Sequence, residues 1–325
     1  MLRSPRSVVI LLAVLGVGAL LALALALSIG SVQMSPARVL EALWHPGADA
    51  DAAIVRDLRM PRALAAFATG GLLAVAGVFM QVLLRNPLAD PYVLGLSGGA
   101  AVGALGAIAL GHAGLVSPAA LGGALVASVL VFGLARSRDS TFSATRLLLT
   151  GVVVAAGWGA LIALMLSLAP EVQLRGMLFW LIGDLSAAGA PGPALVVLAG
   201  VLIASAPFAR DLNVLVRGKT VAASLGVPVE PLVLGLHLLA ALATAAAVTT
   251  AGSVGFVGLV VPHALRLVLG NDQRLLLPAA ALAGGALLVL ADTAARTVVA
   301  PVQLPVGAVT AMLGVPVFLW LLRRQ

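Results

Sequence analysis

From Val8 to Leu27 the chain runs twenty residues without one polar side chain. A helix of roughly 20 apolar residues spans the hydrocarbon core of a bilayer. Only a helix or a closed barrel satisfies every backbone polar group in lipid. Barrel strands alternate apolar and polar residues over about 10 positions, which this run does not do. It also exceeds the ~7–15 apolar residues of a secretory leader. Nine further apolar segments follow, and composition agrees: 62% of the residues are hydrophobic and 10% charged, against about 25% charged in soluble domains. That excludes a soluble enzyme and a disordered or fibrous chain.

The spacing predicts spans over 7–29, 62–84, 95–111, 117–135, 145–169, 191–208, 231–251, 253–269, 276–298 and 305–322. The third and eighth are short and glycine-rich. With the N-terminus in the cytoplasm, only Arg38, Arg56, Arg59, Arg62, Arg175 and Arg296 of the 19 basic residues fall outside. The positive-inside rule then places both termini in the cytoplasm, as an even number of spans requires. The expectation is an all-α polytopic membrane protein of about ten transmembrane helices, 1–325 forming one transmembrane domain. Residues 30–61 form an outer loop with Glu41, Asp49, Asp51 and Asp57, and 209–230 form the largest inner loop.

Chemistry of its own is not expected. Cysteine is absent, and His45, His112, His237 and His263 share no metal-ligand spacing. The basic residues form no patch interleaved with aromatics, so nucleic acid is not a partner. Arg217-Gly218-Lys219-Thr220 resembles the end of a P-loop, but Asn213 stands where the first glycine is needed. ATP, if used, is hydrolysed by another subunit. An ion-coupled carrier would need an ionisable group deep in a span, and the acids stand near span ends.

Three segments are more particular than membrane filler. The first is Arg59-Met60-Pro61-Arg62, a glycine-rich span with Gln81, then Arg85-Asn86-Pro87-Leu88-Ala89-Asp90-Pro91. The second is Gly255-Phe256-Val257-Gly258-Leu259-Val260-Val261-Pro262-His263, and the third Leu304-Pro305-Val306-Gly307-Ala308-Val309-Thr310. Physically, Pro87 and Pro91 break a helix while Asn86 and Asp90 cap exposed backbone groups. Pro262 frees polar groups inside a span, which His263 is placed to satisfy. In this order the segments closely resemble the FecCD family of bacterial ABC-importer permeases, which includes ferric siderophore, haem and vitamin B12 permeases.

The resemblance implies a homodimeric permease in the bacterial inner membrane, surrounded by membrane lipid. Its partners would be a cytoplasmic ABC ATPase dimer, which binds ATP and Mg, and a periplasmic or lipid-anchored substrate-binding protein. This chain would bind no cofactor and no metal. By position the ATPase-coupling helix would be Lys219, Thr220, Ala222, Ala223, Ser224 and Leu225, ending at Gly226. Arg59, Arg62 and Arg296 would receive acidic residues of the binding protein, and anchoring at lipid headgroups is the alternative for Arg62. The pathway would be lined from the second and fifth spans, by Met80, Gln81, Thr150, Trp158 and Met165. Arg85, Asn86, Pro87, Asp90, Pro262, His263, Pro305 and Gly307 would be structural. The cargo implied is an iron chelate, haem included, with cobalamin close behind.

Overall fold

The apolar runs of the sequence become helices wherever proline, glycine or a polar cap does not interrupt them. The structure, a computed structural model, describes residues 5–30, 32–45, 49–135, 143–186 and 188–323. Arg3, Arg136, Arg138 and Arg324, counted as cytoplasmic by the positive-inside rule, lie outside the described residues, as does Asp139.

In chain order, α1 (Pro5–Ser28) is followed by the short α2 (Pro36–Trp44) and α3 (Ala50–Ala53). A π-helical turn, Ile54–Arg59, leads without a break into α4 (Met60–Leu83). A 3₁₀ turn, Pro91–Leu94, precedes α5 (Leu96–Ala109), α6 (Val116–Ala135), α7 (Ala144–Leu168) and α8 (Glu171–Ile182). Then come α9 (Gly192–Ser205), α10 (Ala209–Leu215), α11 (Lys219–Ser224) and α12 (Val229–Ala251). The series closes with α13 (Val257–Leu269), α14 (Gln273–Thr297) and α15 (Val306–Leu322). Seven helical stretches are long and apolar enough to cross a membrane, and α5, α13 and α15 are shorter apolar helices. Together they account for the ten expected spans.

α4 is the axis of the bundle: every residue from Ala68 to Leu83 is buried. Lipid tails are as apolar as leucine, so helices associate through close backbone approach at small residues. Gly70 of α4 meets the Gly284 backbone of α14, and Gly77 meets Gly258 of α13. Gly99 and Gly123 bring α5 and α6 together in the same way. By contrast α1 and α7 turn most of their apolar side chains outward, among them Val9, Val14 and Leu20 on one and Val153 and Leu164 on the other.

α5 is short because the chain re-enters the bundle before it. α4 ends in a Schellman-type turn, with the Asn86 N–H donating to the Gln81 carbonyl and Arg85 in the left-handed region at φ 49°. The Asn86 side chain then accepts from the Leu88 N–H and Asp90 from the Tyr92 N–H, the caps expected there. The Tyr92 hydroxyl both donates to the Val254 carbonyl and accepts from its N–H, at 2.9 Å each. By Gly95 the chain lies against Ala155, eleven residues along α7 and so about 16 Å from its start. α5 therefore starts well within the membrane's depth.

Four helices were not expected. α2 and α3 lie in the outer loop, α10 occupies the start of the inner loop, and α8 follows α7 on the outer side. Pro170 before α8 and Gly183 after it, at φ 91°, are ordinary start and stop signals. Twelve residues carrying Glu171 and Arg175 do not read as a span, and no span was required there.

Candidate functional site

At the outer end, two arginines hold one carboxylate, with a third arginine on the adjoining helix end. Asp292, on the last turns of α14, has a side chain 2% exposed. Arg62, in the first turn of α4, donates to it from Nε at 3.1 Å and Nη2 at 2.8 Å, and from Nη1 to Gln303 Oε1 at 2.9 Å. Arg296, one turn beyond Asp292, places Nε 3.1 Å from Oδ2 as an ion pair without hydrogen-bond alignment. Its Nη2 donates to the Ala26 carbonyl of α1. One carboxylate thus binds guanidinium groups from two helices and leaves the cluster with excess positive charge.

Arg59 behaves differently from the expectation of an open docking side chain. It is 5% exposed, and its guanidinium donates to the carbonyls of Leu27, Ser28 and Val32. The last carbonyls of a helix have no intrahelical donor, so Arg59 caps the end of α1. Gly30 leaves the room for it. Of the three expected docking arginines, Arg62 and Arg296 share a site and Arg59 closes the adjoining helix end.

At the inner end, α11 is the helix expected from Lys219 to Leu225. Gly218, at φ 124°, starts it, and Gly226, at φ 80°, ends it. Thr220, Ala223, Ser224, Leu225 and Gly226 are exposed, and Val221, which the sequence reading passed over, is exposed beside them. Ala222 is corrected: it is fully buried in the main core and faces away from any cytoplasmic partner. Helical period explains this, because Ala222 lies on the side turned to the bundle. Lys219 is partly covered, which lowers its ammonium pKa, and lies 3.8 Å from Glu230. The Arg85 guanidinium stands by Gly218, 3.6 Å from where a Cβ on that glycine would lie, so the left-handed residue that closes α4 reaches toward the start of α11.

A second inner link was not foreseen. Asn213 of α10 donates to Asp272 Oδ1 at 2.9 Å and accepts from the Gln273 N–H at 2.7 Å. Hydrogen bonds from Arg274, aided by Asn213, hold the Asp272 carboxyl down to about 2. A depressed carboxyl contributes stability above its ordinary value near 3.8 and loses it as pH falls through about 2. In detergent the thermal midpoint should therefore drop across that interval. Asp272→Asn should flatten this drop and start from a lower midpoint at neutral pH; an unchanged slope would refute the link.

The pathway expectation is half corrected. Met80 and Gln81 are buried in α4, with Gln81 Nε2 donating to the Leu259 carbonyl, so they present no open wall. A helix packed on most sides by its neighbours cannot also line a path. Thr150, Trp158 and Met165 stay partly exposed on α7. Pro305 starts α15, and Gly307 packs directly on the Ile182 carbonyl while its N–H donates to Gly183. Pro262 lies inside α13; the Gly258 carbonyl it leaves without an intrahelical donor points at Gly77, and the buried His263 stands edge-on to Phe318.

An outer cavity of about 590 Å³ opens beside α8, lined by Arg175, Phe179, Trp180, Asp184, Ser117 and Thr250 among others. Among the described residues no cluster of His, Asp or Glu is set to hold a metal ion.

Comparison with known proteins places these features in a family. A model of the FecCD transport family matches residues 17–324. The cobalamin import system permease protein BtuC of Halobacterium salinarum is 44% identical over 279 residues, 84% of this chain and 74% of that protein. The hemin transport system permease protein HmuU of Yersinia pestis is 40% identical over 322 residues, 95% of each chain. A solved metal-chelate-type ABC transporter in an inward-facing conformation superposes with a TM-score of 0.84 at 26% identity, covering 98% of this chain and all of that one. The chain belongs to the FecCD transport family and is a multi-pass ABC-transporter permease.

Proposed function

We propose that this permease imports a metal chelate, a ferric siderophore or haem, across a bacterial inner membrane as one half of a homodimer. A cytoplasmic ATPase pair, holding ATP and Mg, would dock on α11 of each copy, and a substrate-binding protein would dock on the outer arginines. The observation that carries the reading is the α4–α14 pair. Its outer ends meet at Arg62, Asp292 and Arg296, and its inner ends reach α11 and α10 through Arg85 and Asp272. Helices packed through Gly70 and Gly284 slide little against each other, so a push at one docking face displaces the other. That is the requirement of alternating access. The chemistry is transport alone, with hydrolysis on the partner.

The iron-chelate reading is supported by the hemin permease that matches end to end and by the metal-chelate transporter fold. Cobalamin is the second cargo, supported by the BtuC relative. A gradient-driven carrier is less favoured: among the described residues the one acid fully buried in the bundle is Asp292, already held by two arginines.

The test is ATP hydrolysis and cargo uptake in proteoliposomes holding this chain, its ATPase and a loaded binding protein. Leu225→Asp, on an exposed side chain, should remove ATPase association while the permease still folds. Arg62→Glu should abolish stimulation by the binding protein. Uptake of labelled haem without cobalamin would support the first cargo. Uptake on an ion gradient without ATPase would refute the importer reading.

A further inference from the structure

The outer loop contains an amphipathic helix that neither docking face uses. Winding α2 at 3.6 residues per turn separates its side chains into three sectors roughly 120° apart. Val39 and Ala42 face a small buried cluster with Met34, Ala52 and Val55, which also touches Leu27 at the end of α1. Arg38 and Glu41 form the second sector, where Arg38 pairs with Glu41, Asp49 and Asp51. Leu40 and Trp44, four residues apart on the third, are 57% and 74% exposed. Leu58, one residue before Arg59, is 66% exposed as well.

The height of this apolar face is fixed by α1. Its 24 residues extend about 36 Å, more than the ~30 Å hydrocarbon core, so Leu27 and Ser28 stand at the outer boundary. Arg59 is bonded to those two carbonyls, and the cluster under α2 rests on Leu27. The outward apolar surface of α1, at Val17, Leu20 and Leu21, therefore leads up to α2 at the level of the lipid headgroups. Tryptophan favours that level because its ring is apolar and its N–H polar.

We infer that α2 is an interfacial helix whose Leu40–Trp44 face inserts into the outer leaflet at the headgroup–acyl boundary. The occupant is phospholipid, since α2 rests on Leu27 at the top of that lipid-facing surface and its charged sector lies roughly 120° from the Leu40–Trp44 face. By this contact the outer loop is held against the membrane, and with it the Arg59 cap beside the arginine cluster.

The test places the full-length protein in nanodiscs of phosphatidylcholine brominated either close to the glycerol or near the chain ends. Emission of the wild type minus that of Trp44→Phe isolates Trp44, and the exposed ring makes that substitution safe for folding. Quenching of about twofold by the shallow bromines, and much less by the deep ones, is expected of an interfacial indole. Water-like emission that neither lipid quenches would overturn the inference. So would a Trp44 shielded only after a soluble binding protein is added, which would make the face a protein-docking surface. Neither result depends on which cargo is carried.

Discussion

Replacing Asp292 by alanine should cost the folded permease about 3–5 kcal/mol, the range seen when one partner of a buried ion pair is removed. The side chains of Arg62 and Arg296 are 14% and 11% exposed, so neither guanidinium can recover full hydration in place. They would be left facing each other with Gln303, the Ala26 carbonyl and the Thr293 hydroxyl as acceptors. The outer ends of α4, α14 and α1 meet through these groups, so the cost should appear as loosening of all three. Asp292→Asn keeps an acceptor for Arg62 and loses only the charge, and should cost less. Pairing Asp292→Ala with Arg296→Met should cost less than the sum of the two single changes, because the second removes a charge that the first orphaned. Thermal unfolding in detergent reads the series; additive losses would show that the two side chains do not share one site.

That cluster marks the limit of what the residues disclosed by themselves. Arg62 and Arg296 are 234 positions apart; helical spacing puts Arg296 one turn from Asp292, but only the packing of α4 on α14 brings Arg62 to that carboxylate. The spans were legible for a simpler reason: in lipid a backbone must bond within its own helix, so an apolar run states its own secondary structure. The same logic fails for α2 and α8, which are too short and too charged to be required by the bilayer and are held by capping and by tertiary contact. Arg59 illustrates a third case. Its residue type suggested an acidic partner, but a guanidinium serves equally well on the carbonyls of a helix end, and the geometry of α1 decides between them. Ala222 falls in the expected docking helix by position, but a small apolar side chain suits the core, where it lies.

Gly77→Ala adds one carbon and should damage the bundle severely. A Cβ added at Gly77 would lie 1.8 Å from the Gly258 carbonyl oxygen, 2.7 Å from its carbon and 2.9 Å from its Cα. All three are backbone atoms of α13, so no side-chain rotation relieves the clash and the helices must separate. Gly258 is itself tightly placed, since a Cβ there would meet the Leu73 carbonyl of α4 and the Pro91 ring. The carbonyl concerned is the one that Pro262 leaves without an intrahelical donor, four residues earlier in α13. A glycine Cα can approach it closely, with a weak C–H···O contact, where any larger residue would hold the helices apart. Overpacking a well-filled core costs about 1–3 kcal/mol, and a contact between two backbones belongs at or above the top of that range. Gly16→Ala is the control, since a Cβ on that α1 glycine meets nothing within 4 Å. Alanine is favoured over glycine in a helix by about 1 kcal/mol, so that variant should be neutral or slightly more stable. A large drop in thermal midpoint for Gly77→Ala with none for Gly16→Ala is the expected pattern. Equal midpoints would mean that α4 and α13 do not meet backbone to backbone, and the re-entrant turn wedged against Gly258 at Pro91 would lose its support.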